Sequence, residues 1–246
     1  MSYVVEVKNV TKYYTRRLGP FSKETICAVE DLTLAVEPGD IFALLGPNGA
    51  GKTTTLNIIA GLLPPSSGEV NIFGHRLDNQ DRDFYQRIGF LSEENYLPDY
   101  ISLIELLQFL TRIFNFSLKF SRQRIDWVVE HLKLKDLLKK RIRDLSSGQK
   151  RIAGLSCALL NDPDLLILDE PTVYLDPLVV KDLVEIINNF KIQTKTVIIS
   201  SHILSQVEKL CNRLAILKAG RIKFYGPSRS LSEKGTLEDV FIGLVS

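Results

Sequence analysis

The chain has 246 residues, of which 45% are hydrophobic and 24% charged, and its formal net charge is +2. This length accommodates one large α/β domain or two small ones, and the balance of residue types is that of an ordinary soluble protein. No apolar run approaches the ~18 residues of a membrane span, and so small a net charge does not by itself imply a polyanionic partner.

The N-terminus and the cysteines indicate the expected compartment. The first residues contain neither the basic nor the apolar segment of a signal peptide. The three cysteines, Cys27, Cys157 and Cys211, are odd in number and widely spaced. That pattern predicts free thiols in a reducing compartment rather than a disulfide or zinc framework. We therefore expect a cytosolic protein that reaches a membrane only through a partner.

The first third of the chain predicts strands and one helix. Strands are expected over residues 3–10 and 25–36, joined by a polar hairpin loop over residues 15–23. A short apolar strand over residues 41–45 and a helix over residues 54–61 follow. After a Pro- and Ser-rich turn, two more strands are expected over residues 69–73 and 87–91.

The remainder of the chain predicts a helical segment and then a return to strand–helix alternation. Helices are expected over residues 101–114, 122–132 and 147–160. A strand over 165–168, a helix over 178–190 and a strand over 197–199 come next. Alternating strands and helices predict an α/β fold with a mainly parallel sheet, interrupted by one helical insertion over about residues 98–160.

A phosphate-binding loop directly follows the strand at residues 41–45. Its pattern is Gly, four residues, Gly, Lys and Ser or Thr. The pattern is met by Gly46, Pro47, Asn48, Gly49, Ala50, Gly51, Lys52 and Thr53. A strand, a Gly-rich turn and a helix direct backbone N–H groups toward one spot, which favours a phosphate chain. We expect Lys52 to reach the β- and γ-phosphates, Thr53 to ligate Mg²⁺ and Thr54 to contact the nucleotide. A Gly-rich surface turn with a chance lysine is the alternative, and the agreement of strand, loop and helix disfavours it.

Two carboxylates, Asp169 and Glu170, end the later strand at residues 165–168. Ligands of open α/β sheets bind at the carboxyl ends of the strands. An aspartate at that place can hold Mg²⁺ through water, and the following glutamate can orient or deprotonate a water that attacks the γ-phosphate. A solvated strand end is the competing interpretation.

Together with the run Leu145-Ser146-Ser147-Gly148-Gln149, these motifs resemble the ATP-binding cassette (ABC) ATPase family over nearly the whole chain. Residues 46–53 match its Walker A motif, residues 145–149 are similar to its signature, and residues 165–170 match its Walker B motif. Residues 175 and 176 resemble its D-loop. His202 resembles its switch histidine, and Tyr14 stands where the family places an aromatic ring against adenine, with Tyr13 as a rival.

The resemblance implies a P-loop NTPase core with an N-terminal antiparallel β subdomain and an inserted helical subdomain, all in one domain over residues 1–246. It implies ATP and Mg²⁺ as cofactors, with Glu170 and His202 as catalytic residues. Ser146, Gly148 and Gln149 would contact nucleotide, although Ser146 has a simple helix N-cap as its alternative. Two cassettes would pair head to tail around ATP. They would hydrolyse it on the cytoplasmic face of a membrane, bound to multi-span membrane subunits. Residues 236–241 resemble the tail of bacterial drug- and lipid-exporter ATPases.

Two positions depart from the family pattern. Ser147 replaces the first of the two usual signature glycines, and Glu93 stands where a glutamine is usual. A carboxylate at position 93 can still meet Mg²⁺. The two departures therefore keep open a cassette that only senses ATP beside a different, active one. A soluble, non-transport ABC ATPase is a separate alternative to a transporter ATPase. The basic cluster at residues 139–143 is expected to be a solvated face, and we expect no nucleic-acid partner.

Overall fold

Two β-sheets with helices packed on them form the fold in the computed structural model, which describes residues 3–17, 19, 22–77, 83–232 and 236–245. The elements in chain order are β1 (Val5–Arg17), β2 (Lys23–Val36), β3 (Ile41–Leu45), α1 (Lys52–Ile59), β4 (Ser67–Ile72), β5 (His75–Arg76), β6 (Ile88–Leu91), α2 (Leu103–Ile113), α3 (Leu118–His131), α4 (Ser147–Leu159), β7 (Leu165–Asp169), α5 (Pro177–Ile192), β8 (Thr196–Ser201), α6 (Leu204–Leu210), β9 (Arg213–Lys218), β10 (Arg221–Pro227), α7 (Arg229–Ser232) and α8 (Leu237–Val245).

The two sheets differ in strand direction. The first has the order β2-β1-β4-β5 and is antiparallel throughout. The second has the order β10-β9-β3-β8-β7-β6 and is parallel except for the β9–β10 pair. Between β6 and β7 the chain forms α2, α3 and α4 without a strand among them. These observations confirm the predicted α/β class with a mainly parallel sheet and an N-terminal antiparallel sheet.

The parallel sheet is buried on both faces, and strand β3 shows how. Ile41, Ala43 and Leu45 pack into one apolar core, together with buried residues of α2 to α5. Phe42 and Leu44 pack into a second core, which lies against α1 and the antiparallel sheet. Side chains of a strand point alternately to opposite faces, so a strand between two cores reads as a continuous apolar run.

The N-terminal hairpin corrects one sequence prediction. The polar loop expected over residues 15–23 is shorter, because β1 continues to Arg17 and pairs with β2 from Lys23 onward. The side chains of this end of the hairpin are exposed on both faces, so polarity there did not indicate a loop. Residues 18, 20 and 21 of the predicted loop lie outside the described residues.

Other element boundaries in the structure differ from the predicted ones by fewer residues. The strand predicted from residue 87 begins at Ile88, because a short 3₁₀ helix spans Asp83–Arg87. The last predicted element ended at residue 199, whereas the described residues after β8 form three helices and two strands. Within the part of the chain that the structure describes, no helix combines the length and the apolar character that crossing a membrane requires.

Sheet order positions the candidate site. Strands β3, β8 and β7 are adjacent and parallel, so their carboxyl ends meet at one edge. The loop after β3 contains Gly46, β7 ends at Asp169, and β8 is followed by His202. Residues far apart in the sequence are therefore neighbours at this edge.

Candidate functional site

The loop between β3 and α1 has a backbone that only glycine suits at two positions. Gly51 caps the N-terminus of α1 with φ of 100°, a left-handed conformation. A Cβ atom at Gly51 would also lie 2.5 Å from the carbonyl oxygen of Ala28. At Gly46, a Cβ atom would lie 2.5 Å from the carbonyl oxygen of Leu217. The loop is thus held tightly between β2 and β9, with the N-terminus of α1 at its end.

Lys52 lies folded back into this loop. Its ammonium donates to the carbonyl oxygen of Gly46 at 2.8 Å and to that of Pro47 at 3.4 Å. The same nitrogen is 3.7 Å from a carboxylate oxygen of Glu170, and both side chains are 7% exposed. The lysine and the glutamate therefore partly neutralise each other inside the site.

Asp169 and Glu170 are buried at the end of β7 and are tied to β8 by one hydroxyl. Ser200 Oγ donates to Asp169 Oδ1 at 2.5 Å and accepts from the backbone N–H of Glu170 at 2.8 Å. Glu170 has φ of 46°, which is unusual for a residue with a side chain. This strained turn directs the glutamate toward Lys52 rather than into solvent.

His202 directly contacts Glu170. Its Nδ1 atom lies 2.8 Å from Glu170 Oε2, and its side chain is more than half exposed. The histidine thus belongs to the site and is not a core residue, which was the competing interpretation of this position.

A cleft of about 520 Å³ lies in front of these side chains. It is lined by Ile26, Cys27, Ala28, Asn48, Gly49, Ala50, Gly51, Lys52, Thr53, Thr54, Glu93, Glu170, Val173 and His202. The structure thus brings residues 48–54 of the expected phosphate loop, Glu93 and the two expected catalytic residues to one cavity, whereas Gly46, Pro47 and Asp169 are not among the residues that line it. Its size suits a ligand larger than inorganic phosphate.

The donor set of the cleft fits Mg²⁺. Asp169 Oδ2 is buried and has no hydrogen-bond partner among the described residues, so a buried acceptor is available for a cation. The Thr53 hydroxyl and Glu93 line the same cleft. No group of three or more His, Cys, Asp or Glu side chains suited to a metal was found among the described residues. Mg²⁺ is commonly held by one or two carboxylates together with substrate phosphates and water, and Asp169 and Glu93 are carboxylates of that kind.

The segment at residues 145–149 does not contribute to this cleft. Ser146 is the N-cap of α4 and accepts from the N–H of Gln149 at 3.2 Å, while Gln149 Oε1 accepts from the N–H of Ser146 at 3.1 Å. This reciprocal pair is a capping box. A Cβ atom at Gly148 would lie 2.7 Å from the carbonyl oxygen of Tyr174, whereas Ser147 is exposed. Within one chain, Ser146, Gly148 and Gln149 lie apart from the cleft formed by the described residues.

Tyr14 is close to the cleft but does not line it. It pairs across the hairpin with Ile26, which does line the cleft, and its side chain is exposed. The Lys12 ammonium lies 5.7 Å from the centre of its ring. Tyr13 pairs with Cys27, another lining residue, so the register keeps both tyrosines as candidates for an aromatic contact.

Two functional candidates were missed by the sequence reasoning. Ser200 was assigned no role, yet its hydroxyl joins both carboxylate residues. Arg151 was assigned no role, yet it is 2% exposed and donates to the carbonyl oxygens of Asp169 and Glu170. An arginine inside a helix with neighbouring apolar residues was the available signal, and the sequence could not identify its partners.

Comparison of the sequence with known proteins identifies related chains. The model of the ABC transporter family matches residues 29–173. An uncharacterised ABC transporter ATP-binding protein of Nostoc is 40% identical over 221 residues, which cover 89% of this chain and 65% of that protein. The Nod factor export ATP-binding protein I of Cupriavidus metallidurans is 36% identical and matches 90% of this chain and 70% of its own length. The chain thus spans about two thirds of the length of these curated relatives.

Solved structures of ABC transporter cassettes have a similar fold. An ATP-binding subunit of an ABC transporter matches with a TM-score of 0.87 and 30% identity, over 98% of this chain and 99% of that chain. The ATP-binding cassette MJ0796, in a dimeric post-hydrolysis state with ADP and Pi, matches with a TM-score of 0.81 and 27% identity, over 92% of this chain and 99% of its own. The chain belongs to the ABC transporter family of ATP-binding cassettes.

Proposed function

We propose that the chain is one ATP-binding cassette over residues 1–246, and that it hydrolyses ATP to drive a membrane transporter. This proposal rests on the contacts that Glu170 makes. This buried carboxylate lies 2.8 Å from His202 and 3.7 Å from Lys52, and Lys52 belongs to the phosphate-binding loop. A hydrolytic γ-phosphate site requires a cation, which Lys52 supplies. It also requires a polar group that can respond to the proton transfer, which His202 supplies.

The roles follow from these contacts. Lys52 exchanges its loop carbonyls for the β- and γ-phosphates, since phosphate oxygens carry more charge than carbonyls. Glu170 accepts a proton from a water that attacks the γ-phosphorus, the bond to the β-phosphate oxygen breaks, and ADP leaves. His202 holds the Glu170 side chain in place for that transfer. Thr53, Asp169 and Glu93 would hold Mg²⁺, which supplies charge neutralisation on the phosphates when bound.

A second cassette completes the site in this proposal. Ser146, Gly148 and Gln149 lie outside the cleft of their own chain, so they would contact ATP held by a partner. The dimeric structure of the related cassette MJ0796 supports such pairing. The Nod factor export protein among the relatives supports an exporter. Multi-span membrane subunits would then place the chain on the cytoplasmic face of the membrane.

The test is ATP hydrolysis by the purified chain and by Glu170→Gln. Glu170→Gln keeps the shape of the side chain but cannot take up a proton at neutral pH. We expect turnover to fall at least ~100-fold while ATP still binds. Lys52→Ala is the matched control, because it should weaken nucleotide binding itself. Near-normal turnover in Glu170→Gln would remove the assigned role. No turnover in the wild type would favour the ATP-sensing alternative.

Two further measurements address the partners and the metal. Light scattering should show that Glu170→Gln forms a dimer in ATP and Mg²⁺, whereas wild type in ADP stays monomeric. A dimer that forms without nucleotide would contradict the head-to-tail arrangement. Glu93→Gln should change the Mg²⁺ dependence of turnover more than the affinity for ATP, because Glu93 lines the cleft beside Thr53. Copurification with a multi-span membrane protein would exclude a soluble, non-transport ATPase.

A further inference from the structure

Arg151 is a buried cation that joins two separate loops of the site. It projects from α4 and is 2% exposed. One terminal nitrogen, Nη1, donates to the carbonyl oxygens of Ser92 and Glu93, the latter at 3.0 Å. The other, Nη2, donates to the carbonyl oxygens of Asp169 and Glu170, the latter at 2.9 Å. A single guanidinium thus bridges the segment after β6 and the segment that ends β7.

The charge of Arg151 is retained in this environment. Burial lowers the pKa of the guanidinium, and the carboxylates of Asp169, Glu93 and Glu170 oppose that shift. An arginine keeps its proton in proteins, so the side chain is a fixed cation among three carboxylates. Its Nε atom is buried and finds no hydrogen-bond partner in the part of the chain that the structure describes. This desolvation is costly, and such a cost indicates a role that an apolar side chain would not provide.

The segment after β6 is pressed against α4 near this arginine. Asn95 Nδ2 donates to the carbonyl oxygen of Lys150 at 3.0 Å. A Cβ atom at Gly154 would lie 2.6 Å from Asn95 Oδ1, so no larger residue fits there without movement. Residues 92–97 also form one wall of a second cleft of about 470 Å³. A displacement of residues 92–97 would therefore move the carbonyl groups of Ser92 and Glu93, which accept hydrogen bonds from Arg151.

We propose that Arg151 is a positioning residue that keeps Glu93 and Glu170 in register across the nucleotide cleft. This inference rests on the proposed ATPase function. The planar fork is essential, because its two terminal nitrogens each serve one pair of carbonyls. A lysine ammonium is a point donor and cannot span both pairs.

The test compares Arg151→Met and Arg151→Lys with a matched control, Arg124→Met. Arg124 is also largely buried, with a pKa lowered by burial, and it donates to the carbonyl oxygens of Leu159 and Leu160. It also forms an ion pair with Asp162 at 3.4 Å, so Arg124→Met reports the cost of losing a largely buried, carbonyl-bound arginine outside the residues that line the nucleotide cleft. Folded fraction is measured by urea unfolding, nucleotide affinity by fluorescence titration, and kcat and KM by steady-state ATP hydrolysis.

We expect Arg151→Met to lose about 10- to 100-fold in kcat per folded molecule, with little change in nucleotide affinity or KM. Arg151→Lys should remain well below wild type, and Arg124→Met should retain wild-type kcat. A kcat in Arg151→Met equal to that of Arg124→Met, or full activity in Arg151→Lys, would overturn the inference. If Arg151→Met does not fold, Arg151→Lys alone decides in the same way. A wild-type chain without turnover would instead refute the proposed function.

Discussion

The most informative single perturbation outside the catalytic pair is Ser200→Ala. Ser200 is completely buried, and its hydroxyl is shared between Asp169 Oδ1 and the backbone N–H of Glu170. Alanine fits the same space but supplies neither a donor nor an acceptor. The change therefore leaves one carboxylate oxygen and one N–H group unsatisfied in the interior of the protein.

The size of the effect follows from these two bonds. A hydrogen bond to a charged group contributes about 1.5–3 kcal/mol, and an unsatisfied buried donor costs about 1–3 kcal/mol. Partial relaxation and water entry reduce the total, so we expect Ser200→Ala to lower the free energy of unfolding by about 3 kcal/mol. Turnover should also fall by about 10-fold, because the Glu170 backbone loses the contact that fixes it.

Ser156→Ala is the matched control. Ser156 is equally buried, but its hydroxyl donates to the carbonyl oxygen of Ala153 in its own helix. Such bonds add little to helix stability, so its loss should cost less than ~1 kcal/mol. Urea unfolding without nucleotide gives both values, and ATP hydrolysis gives the rates. Equal losses of stability and rate in the two variants would refute the reasoning about Ser200.

Three other expectations concern strain, thiols and the signature. Tyr174 is exposed and has φ of 66°, so Tyr174→Gly should raise the free energy of unfolding by about 0.5–1 kcal/mol; lower thermal stability would contradict this. Burial raises the pKa of Cys157 and Cys211 to about 12, so at pH 8 a thiol reagent should modify Cys27 first and more slowly with bound ATP; equal labelling of all three would be inconsistent. Ser147→Gly should modestly raise ATP hydrolysis, because it removes a Cβ near the expected γ-phosphate, and an unchanged rate would mean that this serine is neutral.

The core of the site was predictable because its residues fall into short motifs, each contiguous in the sequence. The phosphate loop from Gly46 to Thr53 and the pair Asp169 and Glu170 each follow an apolar strand, and parallel strands bring their carboxyl ends together. His202 lies beside them for the same reason, since it follows the strand between the other two. Local pattern and sheet order together determine these positions.

The remaining features depend on contacts that a local pattern does not contain. Arg151 meets carbonyls 58 and 18 residues away, and any buried arginine would give the same sequence signal. The hairpin itself was predicted, but the strand pairing that continues to Arg17 and Lys23 was missed, because exposed backbone pairing needs no apolar alternation. The contribution of Ser146 to a nucleotide depends on a second chain, which a single sequence specifies only through family resemblance.

Ser146 also shows that capping a helix and binding an anion are compatible roles. Its hydroxyl accepts from Gln149, and a hydroxyl keeps one O–H donor after accepting, which can be directed at a phosphate. Ser146→Ala would remove both roles and cost about 1 kcal/mol. Ser146→Asp keeps a good N-cap but places a negative charge where the proposed partner presents ATP. We therefore expect Ser146→Asp to retain wild-type stability in urea while losing ATP-dependent dimer formation, measured in the Glu170→Gln background by light scattering. A dimer of normal affinity would show that this helix end does not face the nucleotide of a second cassette.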